Sequence, residues 1–391
     1  MHITLLLGLA LLALNLWATR RVWRFRSRYA MPRGMLIAMV WVAPFIGAWI
    51  AVLQTPAAGS QSASAPTLAA PPEHAEPAPE QLMGRDGQAW DLMPHIGLVQ
   101  QVPLMDWAAV QAWAALQGDE TAQTQALEQG RHAWLLHLRQ ALWPHMRVTT
   151  TPEAYLLSTL EDAEADALAR YVATARQRVT RTLGDLARLP PGQRTIVLVL
   201  DSEEDYYHYV SIYYPEEGEF AFSGGMFIHA GCPHFVVVRS DLATLEPVIA
   251  HELTHSALAH WRLPKWLDEG LAVNTEHRVA GVRGAAHTPQ ELHRMHQAYW
   301  TPQRIQAFWT GESFDEPDQG NLLSYDLARI LVQQLGQDWP LFTQFAQSAQ
   351  REDGGSAAAK QVLNVRLGAL AAGLFGMEDQ GRWEPVRWEH G

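Results

Sequence analysis

The stretch HELTH, His251 to His255, has the residue types and the spacing of a metal site. On a helix, two residues four apart leave the same face about one turn apart, so both imidazoles can reach one ion. Histidine nitrogens are common ligands of tetrahedral zinc. Glu252 lies about 100° around the helix from His251 and can reach a water on the metal without being a ligand. The spacing therefore predicts a zinc site with Glu252 as general base.

A catalytic zinc needs a third protein ligand and keeps one position open. The stretch WLDEGLA, Trp266 to Ala272, offers Glu269, fourteen residues after His255 on the next predicted helix. Asp268 is the rival ligand, adjacent in sequence but pointing about 100° away on a helix. The residues alone leave both carboxylates open.

HExxH followed at short range by W-L-x-E-G-L-A resembles the gluzincin metallopeptidases. The pattern is most similar to their compact peptidase MA-like members, with thermolysin and the membrane alanyl aminopeptidases as more distant relatives. The resemblance covers roughly residues 150–345. It implies that Glu269, the Glu before Gly, is the third zinc ligand beside His251 and His255. It also implies that the chain hydrolyses peptide bonds.

The same resemblance implies a second catalytic residue, Tyr325 in LSYDLA. This residue falls where the larger relatives place a tyrosine that hydrogen-bonds the tetrahedral oxyanion, and a phenol can do this. The structural alternative is a core or rim aromatic on an amphipathic helix. Three histidines are weaker rivals for the same role: His287, His293 and His296.

Two further groups have both a functional and a structural interpretation. Glu276 lies seven residues after Glu269 on the same helix face, where it could accept the free N–H of a ligand histidine. Alternatively it is a solvated surface residue. His229, Cys232 and His234 form an H-x2-C-x-H cluster that could bind a second metal or supply a thiol that blocks the zinc. The ordinary interpretation is a turn between strands with a buried thiol.

Composition limits the possible functions. The chain has 391 residues, 48% of them hydrophobic, and can therefore form a sizeable core. The net charge is −12, and no basic cluster lies outside the N-terminal loop, which argues against nucleic acid as a partner. Cys232 is the single cysteine, so no internal disulfide can form.

The N-terminal residues 1–53 are predicted to form a transmembrane hairpin. Two apolar runs, residues 3–18 and 35–53, flank a loop with six arginines and no acid. Each run is near the ~20 residues that span a bilayer. The positive-inside rule holds this loop in the cytoplasm and places the rest of the chain outside. We therefore expect a bacterial inner-membrane protein with its catalytic domain in the periplasm.

The remaining chain divides by composition and periodicity. Residues 54–80 are rich in Pro, Ala and Ser and predict a flexible linker. Residues 81–147 are expected to be a helical region, 148–280 the zinc-binding catalytic domain, and 281–391 a helical C-terminal subdomain. Four strands are predicted, at residues 154–159, 195–200, 225–230 and 235–239. The third of them is expected at the edge of the sheet, by analogy with the gluzincins.

These observations predict an α+β fold, with a small mixed sheet packed on the HExxH helix. The predicted function is a membrane-anchored, zinc-dependent metallopeptidase that acts on peptides or proteins outside the cytoplasmic membrane. The alternative is a zinc-stabilised envelope protein that binds or scaffolds without hydrolysis. Glu252 favours the enzyme, because a purely structural zinc site does not need a base and tends to close its fourth position.

Overall fold

A computed structural model describes residues 76–189, 192–214, 225–281, 287–316, 319–379 and 381–388. They all belong to one compact unit, Pro71–Gly391. The predicted membrane hairpin and most of the predicted linker lie outside the described residues. Within the described ranges, no helix is both long and apolar enough to cross a bilayer.

The centre of the fold is a mixed five-stranded sheet, and the architecture is α+β as predicted. In spatial order the strands are β5, β6, β7, β9 and β8. The three inner strands run parallel, and both edge strands are antiparallel to their neighbours. The four predicted strands are confirmed, and β8 is an edge strand as expected. The strand bounds are β5 Arg147–Thr150, β6 Ala154–Ser158, β7 Thr195–Leu200, β8 Gly225–Ile228 and β9 His234–Val238.

Each face of this sheet has its own hydrophobic core, because successive strand residues point to opposite sides. Leu156 and Val197 belong to one core, whereas Leu157 and Leu198 belong to the other. The first core holds the HExxH helix and the C-terminal helices, and the second holds the N-terminal part of the described chain. The sheet is therefore the middle of three layers.

The helices of residues 148–280 begin and end where the sequence indicates. The helix after β6 ends at Gly184, whose φ of +55° lies in the region that favours glycine. Ser202 caps the next helix by accepting the backbone N–H of Asp205. Asp241 caps the HExxH helix by accepting the backbone N–H of Thr244 at 2.8 Å. The bounds are α3 Asp162–Leu183, α4 Glu203–Tyr213, α5 Leu242–Leu258 and α6 Lys265–Val279.

The prediction that residues 81–147 are helical is wrong for residues 81–105, which form two β-hairpins. The hairpin strands are β1 Gln81–Met83, β2 Ala89–Asp91, β3 Ile96–Val99 and β4 Val102–Met105. The two turn residues of the second hairpin, Gln100 and Gln101, have φ of 47° and 71°. Such turns usually carry Asn or Gly, so the sequence lacks the usual hairpin signal. The remainder is helical, as α1 Trp107–Ala115 and α2 Glu120–Leu142.

The C-terminal part is helical, as predicted. Its last stretch, residues 356–374, is interrupted at Asn364, which has a φ of 54°. It consists of a short helix, a π-helical turn Ala359–Leu363 and a separate last helix. The bounds are α7 Pro289–Tyr299, α8 Arg304–Thr310, α9 Gln319–Leu335, α10 Trp339–Ser348, α11 Ser356–Ala358 and α12 Leu367–Leu374.

Candidate metal centre

The side chains of His251, His255 and Glu269 converge between α5 and α6. Glu269 Oε2 lies 3.3 Å from Nε2 of each histidine. One ligand atom from each residue lies within 4.8 Å of the other two, and no other described His, Cys, Asp or Glu side chains form such a group. Two ligands on a tetrahedral ion, each about 2.0–2.1 Å from the metal, are about 3.3 Å apart. The distance from Glu269 Oε2 to each histidine nitrogen therefore suits two ligands of one such ion.

The carboxylate oxygen at the centre of this group also fits a bound cation. Glu269 Oε2 is buried and has no hydrogen-bond partner of acceptable geometry within the described part of the chain. A buried oxygen without a partner is unfavourable. A cation held by this oxygen and by both Nε2 atoms would satisfy all three.

A second carboxylate supports each histidine from behind. His251 Nδ1 lies 3.1 Å from Glu276 Oε2, and His255 Nδ1 lies 3.1 Å from Asp268 Oδ2. A proton on Nδ1 that is donated to a carboxylate leaves the Nε2 lone pair free for a metal. Of the two interpretations of Glu276, the contact with a histidine is the one observed. Asp268 is not among the converging ligand atoms, because its carboxylate faces the outer nitrogen of His255.

Each histidine thus contacts two carboxylates, Glu269 and one other. These contacts follow from the packing of two antiparallel helices, α5 and α6. A short connection, residues 259–264, joins α5 to α6 and reverses the chain direction. The earlier histidine, His251, therefore meets the later acid, Glu276, and the later histidine, His255, meets the earlier acid, Asp268. Glu269 lies between them and faces both histidines. Sequence reasoning missed the role of Asp268, although this reversed order would have indicated it.

Carboxylates dominate the electrostatics of the site. Burial alone would lower the pKa of His251, but the carboxylates of Glu269 and Glu276 outweigh this and raise the pKa to about 9. Burial likewise opposes the charge on Glu269, yet His255 and His251 hold its pKa far below the ordinary value. The surrounding negative charge thus favours a cation here, whether a proton on an imidazole or a metal ion.

Glu252 lies beside the converging ligands and is not one of them. It is only 7% exposed, and its Oε2 accepts the backbone N–H of Phe227, on edge strand β8, at 2.7 Å. Burial raises the pKa of this carboxyl. The hydrogen bond leaves the second carboxylate oxygen for another partner. The contact joins residues far apart in sequence, so no sequence pattern indicated it.

Tyr325, on α9, lies on the other side of the site. Its ring centroid is 6.3 Å from that of His251 and 5.2 Å from that of Phe314. Burial raises the pKa of its phenol, and the nearby charges of Glu269 and Glu252 raise it further. Within the described ranges, the hydroxyl has no hydrogen-bond partner.

The close packing of α9 on α6 brings Tyr325 to the site. At Gly270, a Cβ atom would lie 2.5 Å from the carbonyl oxygen of Ala328, well inside contact distance. Asn274 adds a hydrogen bond from its side-chain amide to the Arg329 carbonyl at 2.9 Å. Position 270 therefore requires glycine for a steric reason, because a larger side chain would keep α6 and α9 apart.

The rival histidines lie elsewhere or are already bound. Both nitrogens of His296 are engaged, one with Asp326 and one with Trp300, at 2.9 and 2.8 Å. His293 is exposed on α7, and His287 immediately precedes the capping residue of that helix. None of the three contacts the ligand group within the described residues.

The H-x2-C-x-H cluster of His229, Cys232 and His234 fits the structural interpretation, a turn between strands with a buried thiol. Both nitrogens of His234 are engaged, with the Cys232 carbonyl at 2.7 Å and the Tyr209 hydroxyl at 3.0 Å. Cys232 is buried, and burial raises the pKa of its thiol. These contacts support the interpretation as a turn with a buried thiol.

Comparison with known proteins does not assign the chain to a family. No protein-family model matches the chain, and no curated protein is similar to it by sequence. The fold and the side chains define an α+β protein with a candidate His-His-Glu metal centre.

Proposed function

We propose that this chain is a zinc-dependent metallopeptidase, anchored in the bacterial inner membrane by residues 1–53 and active in the periplasm. The observation that carries the proposal is the arrangement of the site. His251, His255 and Glu269 present three ligand atoms to one point, while Glu252 lies next to them and binds the edge strand instead. A structural site would close its fourth position with another residue.

His251, His255 and Glu269 would hold the zinc. When bound, the ion would act as a Lewis acid on the scissile carbonyl and lower the pKa of a water molecule to about 7. Asp268 and Glu276 would keep the imidazoles in the correct tautomer and orientation, by accepting a proton from each Nδ1.

Glu252 would accept the proton of the attacking water and return it to the leaving amine. The bond from the Phe227 amide fixes one carboxylate oxygen and leaves the other for this transfer. A general base works best when its pKa lies near the working pH. Burial shifts the pKa of Glu252 in that direction.

Tyr325 and β8 would bind the substrate. The unengaged phenol of Tyr325 would donate a hydrogen bond to the oxyanion of the tetrahedral intermediate. An extended peptide could pair with the outer edge of β8 through main-chain hydrogen bonds, which tolerate many side chains. The amide that holds Glu252 belongs to this same strand, so the base would lie beside the bound peptide.

The proposal is tested with the full-length protein in detergent. We expect about one zinc per chain and cleavage within a peptide library that a chelator abolishes and added zinc restores. The His251→Ala, His255→Ala double variant should lose both zinc and cleavage. Full zinc content in that variant would refute the site. Zinc without cleavage of any peptide would instead favour the alternative, a zinc-stabilised binding or scaffold protein.

A further inference from the structure

The two residues that flank Tyr325 in sequence each make a hydrogen bond to a different element. The hydroxyls of Ser324 and Ser313 are 2.6 Å apart, and both residues are almost completely buried. Asp326 Oδ2 lies 2.9 Å from His296 Nε2. Leaving one member of a buried polar pair without its partner is unfavourable, so both contacts resist separation. These contacts tie α9 to the 3-10 turn that contains Ser313 and to α7.

The orientation of the His296 ring is fixed at both of its nitrogens. Trp300 Nε1 lies 2.8 Å from His296 Nδ1, and an indole nitrogen can only donate. Nδ1 therefore accepts, so the proton is on Nε2 and is donated to Asp326. The ring also stacks on Phe375, with 4.9 Å between centroids, and Arg329 binds the other oxygen of Asp326 at 2.7 Å. His296 is thus a rigid support for α9.

The positions of the two anchors determine what they control. Consecutive residues on a helix are about 100° apart, so Ser324 and Asp326 project on either side of Tyr325. Two anchors on opposite sides oppose rotation of α9 in both directions. The phenol hydroxyl extends well beyond the helix backbone, whose radius is about 2.3 Å, so even a small rotation would displace it. A misplacement of about 1 Å in a reacting group can reduce the rate about 10²-fold.

We propose that His296 and Ser313 are positioning residues for Tyr325. They bind Asp326 and Ser324 and thereby fix the direction in which the Tyr325 phenol points, towards His251 and Glu252. This inference rests on the proposed function in one respect, namely that the Tyr325 hydroxyl contacts the reacting oxyanion.

A double-mutant cycle on the zinc-loaded, full-length protein tests the catalytic consequence. Tyr325→Phe should lower kcat about 10²–10³-fold with little change in KM, as for the loss of one oxyanion donor. His296→Ala should lower kcat at least tenfold, and adding Tyr325→Phe to it should cause a much smaller further loss than in the parent. Asp326→Asn, whose amide oxygen can still accept from His296, should retain most activity. Losses from His296→Ala and Tyr325→Phe that simply multiply would overturn the proposal.

A measurement without catalysis tests the position of the ring. 3-Fluorotyrosine placed at position 325 should give a ¹⁹F resonance distinct from that of an exposed fluorotyrosine. His296→Ala and Ser313→Ala should move this resonance towards the exposed value. Thr343→Ala, at another buried polar residue of the C-terminal part, should leave it in place. Ser313→Ala removes a single oxygen and serves as the test where His296→Ala fails to fold.

The two measurements separate this inference from the proposed function. An unchanged ¹⁹F resonance in Ser313→Ala and in folded His296→Ala would refute the positioning role, whatever the activity. A shifted resonance in a protein whose parent cleaves no peptide would support the positioning role and contradict the peptidase function.

Discussion

Replacing Glu252 by Gln tests the proposed chemistry most directly. The substitution keeps the size of the side chain, and the Gln amide oxygen can still accept the Phe227 N–H that Glu252 Oε2 accepts at 2.7 Å. It removes only the capacity to take up and return a proton. General acid–base groups contribute about 10²–10⁴-fold to the rate, which is about 3–5 kcal/mol of transition-state stabilisation. We therefore expect kcat/KM for peptide cleavage to fall about 10²–10⁴-fold or more.

The same substitution should hardly change the fold or the metal content. Replacing a charged acceptor by a neutral one weakens the bond from Phe227 by about 1 kcal/mol. Because Glu252 is 7% exposed, removing its buried charge offsets part of this loss. For domains of about 150–250 residues, 1 kcal/mol corresponds to about 2–4 °C in Tm, and we expect a smaller shift for the larger unit Pro71–Gly391. Zinc content, which depends on other side chains, should stay at about one per chain.

The assay compares full-length parent, Glu252→Gln and a matched control, Glu246→Gln. Glu246 is on the same helix, α5, but outside the converging ligand group. The control should cleave at the rate of the parent. A Glu252→Gln protein that binds zinc, remains folded and cleaves as fast as the parent would refute the role of this residue. Equal losses in both variants would point to damage of α5 and not to a missing base.

Three further predictions concern the metal, the fold and the membrane. Asp268→Asn and Glu276→Gln should each weaken zinc binding about 10–100-fold, because each replaces the carboxylate that contacts Nδ1 of a proposed ligand histidine. Zinc affinity is measured by competition with a chelator, and unchanged affinity in both variants would contradict that role. Gly270→Ala should destabilise the protein by about 1–3 kcal/mol, because its Cβ would lie 2.5 Å from a backbone oxygen of α9. Gly373→Ala, with no atom within 4 Å of its Cβ, is the control and should be neutral or slightly stabilising in thermal unfolding. Alkaline phosphatase fused just after the second apolar run should be active, whereas a fusion within the arginine-rich loop should not; the opposite pattern would refute the proposed location.

Much of the region that carries the candidate metal centre could be predicted from sequence because its signals are local. Thr195–Leu200 is a short apolar run and forms a strand buried along its whole length. Ser202 and Asp241 are capping residues that act on backbone amides three positions away. The i, i+4 spacing of His251 and His255 places them on one helix face regardless of what surrounds the helix. In each case, a few neighbouring residues determine the structure.

The contacts that could not be predicted connect elements distant in the chain. The Phe227 amide meets Glu252 only because β8 is the edge strand next to α5, which depends on the order of the whole sheet. From the sequence, Asp268 and Glu269 are equally plausible ligands because they are adjacent. The packing of α5 against α6 distinguishes them, since it places Asp268 at His255 Nδ1 and not among the converging ligand atoms.

The N-terminal hairpins were missed for a different reason. Their strands are only three or four residues long, and β3 is exposed along most of its length. Period-2 alternation cannot be detected in so few residues, and an exposed strand has no apolar face to display it. These hairpins are fixed by tertiary contacts, such as the bond from Trp134 Nε1 to the Pro103 carbonyl at 3.2 Å. The local sequence pattern favours helix for residues 81–105, whereas their packing against α2 stabilises the hairpins.

The geometry of the helix pair also explains why the short motif WLDEGLA contains so much of the site. Trp266 is fully buried, and its Nε1 donates to the Gly354 carbonyl at 2.9 Å, which fixes the start of α6. Asp268 and Glu269 then face the two sides of His255, one at each nitrogen. Gly270 lets α9 approach and so brings in the helix that carries Tyr325. The motif thus combines an anchor (Trp266), a candidate ligand (Glu269), a carboxylate that supports His255 (Asp268) and the glycine that lets α9 approach (Gly270). A substitution at any of these positions should therefore disturb the site by a different route, which binding, stability and rate measurements can separate.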